Sequence, residues 1–323
     1  MKEKLFEVRE LTKTFSRPGG KKLHAVDGVS FDIYKGETLG IVGESGCGKT
    51  TCGRTVIGLY PKNGGQSLYR GKDVHKMSRQ EYFQYTKNVQ TVFQDPYTSL
   101  NPRMKVVDII AEGIDIHHMA ANAKERRDMV YELLELVGLN REHAERYVHE
   151  FSGGQRQRIC IARALAVNPE FLLCDEAISA LDVSIQAQIV NLLMRLQKQK
   201  DLTYMFIAHD LTMVRYISDR VAVMYLGSIV EMGPSDELYT NPLHPYTRVL
   251  ISAVPIADPE AEAKRQRMIP KGEACTDTPG ENCCKFCARC THATDLCRST
   301  RPELKDRGNG HWVACHLLDQ QGG

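Results

Sequence analysis

The chain has 323 residues, enough for a large core and two domains, and its 42% apolar and 25% charged content is that of an ordinary globular protein. A net charge of +2 with no long block of like charge excludes the basic stripe of a nucleic-acid binder. The opening MKEKLFEVRELTKTF lacks the apolar segment of a secretion signal. No apolar stretch approaches the roughly 20 residues that span a bilayer, so a soluble, cytoplasmic protein is expected, one that meets a membrane only through a partner.

In chain order, the apolar stretch Thr38–Val42 reads as a buried strand before a Gly-rich turn, and Lys49–Leu59 as the helix after it. Residues from about Pro102 to His149 have helical periodicity (MVYELLELVGL), many charges and no strand signal, and read as a helical insertion. Helical patterns follow at Gln155–Val167 and Ile185–Gln199. Phe171–Cys174, which runs into two acids, and Tyr204–Ala208, which runs into His209, read as buried strands. Strands alternating with helices predict an α/β fold with a mainly parallel sheet covered on both faces. From about Asn241 the Pro, Cys and polar content rises and periodicity fades, so a small appended domain is expected there.

The segment GESGCGKT comprises Gly43, Glu44, Ser45, Gly46, Cys47, Gly48, Lys49 and Thr50 and fits the phosphate-loop pattern. Glycines let successive backbone N–H groups curl around phosphate oxygens, and the helix that follows adds its positive end. Lys49 supplies a point charge to the β- and γ-phosphates, and the Thr50 hydroxyl can ligate Mg²⁺. A chance Gly-rich turn is the bland alternative, but the loop stands between a buried strand and a helix, as a phosphate loop must. At the end of the second strand, Asp175 can hold Mg²⁺ through water, and Glu176 can orient or deprotonate an attacking water. FSGGQRQR then opens a helix with Ser152, Gly153 and Gly154, a second cradle for an anion. One phosphate loop and two cradles suggest a composite site shared by two subunits.

This stretch resembles the signature motif of the ABC-transporter ATPases, with Phe151 where the family has Leu. The resemblance covers about the first 250 residues. It implies a P-loop NTPase of the ABC ATPase type: a mainly parallel sheet with an antiparallel β part, a helical subdomain at about 100–155, and a small Cys-rich C-terminal domain at 251–323. It implies ATP and Mg²⁺ as ligands. Phe15 resembles the aromatic that stacks on adenine, Gln94 the Q-loop glutamine that reaches Mg²⁺ and the water, and His209 the switch histidine at the γ-phosphate. Gly43–Thr50 with Thr51 corresponds to the nucleotide loop, Ser152–Gln155 to the signature, and Asp182 to the D-loop. Ala177-Ile178 stands where the family commonly has Pro-Thr. Alone, Phe15 could be core, Gln94 a surface amide and His209 a satisfied histidine; six elements in order leave those readings little room.

QDPYTSLNPRM, SALDVSIQAQI and NPLHPYTRVL resemble the oligopeptide/dipeptide importer subfamily. That resemblance implies an ATPase that powers peptide import from the cytoplasmic face of the inner membrane. Its implied partners are a paralogous ATPase subunit, two permeases docked near Gln94 to about Val107, and an extracellular solute-binding protein. A soluble DNA-repair or chromosome-type ABC ATPase with a zinc module is the rival, opposed by the near-neutral charge and the single cassette. A P-loop kinase is a weaker one, since the signature would have no task there.

Seven of the eleven cysteines fall between Cys275 and Cys315, four of them in CCKFCARC. In a reducing compartment such crowding favours a metal over disulfides. Four thiolates suit either zinc or a [4Fe–4S] cluster. The C-x₂-C-x₂-C spacing offers Cys284, Cys287 and Cys290 with Cys297. The subfamily's tail, by resemblance, instead implies an iron–sulfur cluster on Cys284, Cys290, Cys297 and Cys315, leaving Cys275, Cys283 and Cys287 spare.

Overall fold

A computed structural model describes residues 2–20, 22–255, 268–270 and 282–319. Cys275 lies outside them. The strands that matter here are β1 (Lys4–Ser16), β2 (Lys22–Tyr34), β3 (Thr38–Val42), β4 (Gly64–Tyr69), β5 (Lys72–Asp73), β6 (Val89–Val92), β7 (Phe171–Asp175) and β8 (Thr203–Ile207). They are followed by β9 (Arg220–Tyr225), β10 (Ser228–Pro234), β11 (Lys305–Asp306) and β12 (Trp312–Val313). The chain packs as two compact units, one of Met1–Phe6, Ile33–Thr38 and Leu68–Ala208, the other of Glu7–Asp32, Leu39–Ser67 and His209–Gly323.

In the first unit β6, β7 and β8 run parallel, with Leu172 opposite Gln90 and Tyr204. Every residue of β7 and β8 is buried, as continuous apolar runs in a covered parallel sheet must be. The helical insertion forms where periodicity predicts it. Helices Val106–Ile116 and Ala123–Leu136 pack against the long helix Gly153–Leu165, and bury Ile109, Ile110, Ile114, Val130 and Leu134. Asn122 caps the second of them by accepting the N–H groups of Lys124 and Glu125.

In the second unit β3 pairs in parallel with β9, Ile41 opposite Ala222. β9 turns back antiparallel into β10, β10 pairs antiparallel with β12 from the tail, and β12 with β11. The tail thus joins this unit's sheet as an added edge, with Glu231 opposite Val313. β3 has the expected bounds, whereas the helix after the loop covers only Lys49–Val56. Leu59, assigned to that helix by its apolarity, is 46% exposed and belongs to no buried helical face. No helix among the described residues is long and apolar enough to cross a membrane.

Candidate nucleotide site

The second unit carries the phosphate loop. β3 delivers Gly43, and Lys49 begins the helix, which leaves the intervening residues to turn as a loop. Gly48 has φ 106°, and a Cβ there would stand 2.0 Å from the Ala25 carbonyl oxygen, so only glycine fits. Lys49 is 3% exposed, and its Nζ donates to the carbonyl oxygens of Gly43 (2.8 Å) and Glu44 (3.0 Å). The ammonium is therefore held within the loop rather than in solvent. Ser45 and Gly46 are exposed, Thr50 half-buried. Cys47 and Cys52 are buried; burial pushes the Cys52 thiol up to about 12, so neither is a reactive thiolate.

Two residues that were legible only as family markers hold this loop. The Tyr246 hydroxyl accepts the Glu44 N–H at 2.9 Å. Arg289 Nη1 donates to both Glu44 carboxylate oxygens, at 3.0 and 2.9 Å, and reaches the Tyr225 hydroxyl at 3.4 Å. Contacts 245 residues apart leave no local periodicity to read. Phe15 is 37% exposed, edge-on to Tyr60 with ring centroids 6.1 Å apart, and Lys13 Nζ lies 4.9 Å from its ring. An exposed aromatic braced from below can stack on a base. His209 is exposed in this unit.

The first unit carries the acids and the signature. Asp175, the last residue of β7, is fully buried. Glu176 follows at φ 50°, a left-handed conformation that a non-glycine residue adopts at a cost, and its N–H donates to the Ile207 carbonyl at 2.9 Å. Gln94 donates through its side-chain nitrogen to Glu176 Oε2 at 2.8 Å, which leaves the amide oxygen as the end able to face a cation. Two of the expected site residues, Gln94 and Glu176, which the sequence offers separately, are thus in direct contact.

Ser152 is the N-cap of the helix Gly153–Leu165 and forms a capping box with Gln155. Its Oγ accepts the Gln155 N–H at 3.4 Å, and its own N–H donates to Gln155 Oε1 at 3.0 Å. Gln155 therefore builds the cradle, and the exposed Ser152 and Gly153 present it. A Cβ on Gly154 would lie 2.6 Å from Ile185 Cγ2, so the helix start sits tightly on the next helix, Val183–Lys200. Asp182 caps that second helix through the Ile185 N–H at 3.0 Å. Phe151 is buried edge-on to His143, and Ala177 and Ile178 are buried too, so the three departures from the common sequence fill the core.

In the tail, the Cys284 N–H donates to the Cys297 carbonyl at 2.8 Å, which joins two of the implied ligand segments. Burial pushes the Cys284 thiol up to about 12, with Cys297, Cys287 and Cys315 within electrostatic reach of it, while Cys315 senses Cys290 and Cys297. Cys287 instead meets Cys283 in a side-chain hydrogen bond. Among the described residues no three His, Cys, Asp or Glu side chains converge as a metal holder. The side chains themselves are of the kind a thiophilic metal takes, thiols linked pairwise from Cys284 to Cys297 and Cys315 and from Cys315 to Cys290, but they are not drawn together around one point.

The ABC transporter family profile matches residues 26–179, and that of the oligopeptide/dipeptide transporter C-terminal region matches 230–297. The chain is 63% identical over 268 residues to the oligopeptide transport ATP-binding protein OppF of Bacillus subtilis, covering 83% of this chain and 88% of that one. It is 50% identical to AppF of the same organism, also an oligopeptide transport ATP-binding protein, over 98% of both chains. A solved ATP-binding cassette, a dimer in a post-hydrolysis state with ADP and phosphate, is 26% identical over 71% of this chain and 98% of its own, at a TM-score of 0.65. With its phosphate loop, its acid pair and its capped signature helix, the chain belongs to the ABC transporter ATP-binding family, in the oligopeptide/dipeptide branch.

Proposed function

We propose that this chain is the ATP-hydrolysing subunit of a bacterial importer of oligopeptides or dipeptides, peripheral to the cytoplasmic face of the inner membrane. The observation that carries the chemistry is the Gln94–Glu176 hydrogen bond at the end of β7, which aims a carboxylate held at a strained backbone position. The substrate class rests on the relatives named for oligopeptide transport. In this reading residues 1–250 form the ATPase domain and 251–323 the C-terminal one. Lys49, the loop N–H groups from Gly43 to Thr51 and Phe15 bind ATP; Thr50, Gln94 and Asp175 hold Mg²⁺. Glu176 activates water while His209 contacts the γ-phosphate.

Two ATPase subunits, this one and a paralogue, close head-to-tail. Ser152–Gln155 and Asp182 then face the nucleotide of the partner, and hydrolysis removes the bridge that holds the pair shut. Two permeases dock on the helical insertion and receive solute from an extracellular binding protein. Reconstituted with two permeases and a solute-binding protein of a peptide importer, the subunit should hydrolyse ATP faster when a short peptide is added. Stimulation by another solute and not by peptide would reassign the cargo.

Ser152→Arg should block hydrolysis in the site whose phosphate loop belongs to the partner, because a bulky cation replaces the hydroxyl at the cradle's mouth. ATP affinity of the isolated variant subunit should be unchanged, and a large loss there would mean that the signature serves its own nucleotide.

The tail is proposed to hold a [4Fe–4S] cluster through Cys284, Cys290, Cys297 and Cys315, with zinc as the alternative ion for four thiolates. Its chemistry there is structural, a crosslink for a segment with little core of its own. Anaerobically purified protein should be brown, Cys315→Ser should bleach it, and Cys287→Ser should not. Colourless protein with one zinc per chain would remove iron from the assignment, and bleaching by Cys287→Ser alone would favour the other ligand set.

A further inference from the structure

We propose that Arg289, in the cysteine tail, is a positioning residue for the phosphate loop: it neutralises the Glu44 carboxylate and so sets the chain's affinity for nucleoside triphosphate. This rests on the reading that Gly43–Thr50 holds the triphosphate. Glu44 is the second residue of that loop and brings a negative charge into a cradle built for anions. Unneutralised, it repels the phosphates and competes for Lys49, whose Nζ already lies 3.0 Å from the Glu44 carbonyl.

Arg289 answers that charge with one nitrogen on both carboxylate oxygens, while the Tyr246 hydroxyl takes the Glu44 N–H and fixes the main chain. The pair is sheltered, with the side chains of Arg289 and Glu44 only 11% and 31% exposed, so solvent screens it less than a surface pair. Phe286, packed on Tyr225 and Tyr246 with ring centroids 5.3 and 5.4 Å apart, seats the turn from which Arg289 projects.

Attachment of the tail does not need this contact. Lys285 and Arg301 both pair with Asp27, at 2.6 and 2.9 Å, His311 pairs with Glu231 at 2.7 Å, and β12 adds to β10. All of these hold the tail without touching the loop. Arg289 alone among these tail side chains reaches a phosphate-loop side chain, which a mere staple would not require.

The test is a double-substitution cycle on the full chain, read as binding of a fluorescent ATP analogue and as KM against kcat. A full charge within several ångströms of the phosphates predicts that Arg289→Ala weakens binding on the order of tenfold, mostly in KM and more at low than at high salt. In a Glu44→Gln background the same substitution should cost less than about twofold, because the charge to be neutralised is gone. Arg289→Lys should retain most of the affinity. A purely structural arginine predicts the reverse, an equal loss with and without Glu44, and that result overturns the proposal, as does unchanged affinity in Arg289→Ala. Lys49→Ala separates the two readings. If it abolishes binding while the Arg289 variants bind normally, only this inference fails; if it binds normally, the loop reading falls and takes the inference with it. Should Arg289→Ala fail to fold, the salt dependence of binding in Arg289→Lys, with and without Glu44→Gln, reads the same coupling, and equal salt slopes in the two backgrounds overturn the proposal.

Discussion

Glu176→Gln should lower the rate of ATP hydrolysis by about a hundredfold or more, the usual contribution of a positioned general base, while ATP binding is retained. The substitution keeps the volume and one oxygen acceptor, so Gln94, which donates to Glu176 Oε2 at 2.8 Å, still has its partner. The backbone also tolerates it, since φ 50° is set by the turn after β7 and the N–H bond to Ile207, not by the carboxylate. What disappears is the carboxylate that the proposed mechanism uses to take a proton from water. In the proposed function nucleotide affinity resides in the loop around the buried Lys49, which the substitution leaves untouched. The variant should therefore collect as an ATP-bound dimer on a sizing column. Hydrolysis at the wild-type rate would remove Glu176 from the mechanism.

The parts of this molecule that were legible in the sequence are those governed by local rules. β3 and β7 are short apolar runs that a covered parallel sheet demands, and their bounds match the reading to within a residue. Ser152 with Gln155 three residues on is a capping box, and the helix opens there. The long strands β1 and β2 went unnamed because their burial alternates and charged residues interrupt the pattern. β9 and β10 follow one another through a tight antiparallel turn with no helix between them, so the strand–helix alternation does not mark them. The tail was the least legible. Its cysteines announced themselves by spacing, but the cations between them, Lys285 and Arg289, make contacts that only the fold creates. NPLHPYTRVL read as a family marker, whereas in the structure its backbone N–H groups and its tyrosine are working parts.

Those N–H groups lead to the second large effect. Glu231, in β10, is wholly buried, and its carboxylate accepts the N–H groups of Leu243 (2.8 Å) and His244 (2.9 Å) and meets His311 Nε2 at 2.7 Å. One side chain thus ties the edge of the sheet, the entrance of the helix Pro245–Ala253 and the tail. Glu231→Ala should strand two backbone donors and a buried imidazole, at a cost of about 3–5 kcal/mol, and lower the thermal midpoint by roughly 10 °C. Burial alone would raise the Glu231 pKa, but the hydrogen bonds from His311 and the two amides outweigh it and hold the carboxyl below its usual 4.5. A carboxyl depressed in the folded state contributes stability above its unfolded value, and that contribution fades as pH falls through the folded value. The gap between wild type and Glu231→Ala should therefore be widest near neutral pH and narrow below about pH 4.5. Trp312, the single tryptophan, sits opposite Met232 in the strand pair that Glu231 anchors, so its emission should shift to the red in the variant before the rest of the chain unfolds. A variant within about 1 kcal/mol of wild type at neutral pH, with unshifted Trp312 emission, would show that the strand pairing and the Asp27 ion pairs hold the tail without Glu231.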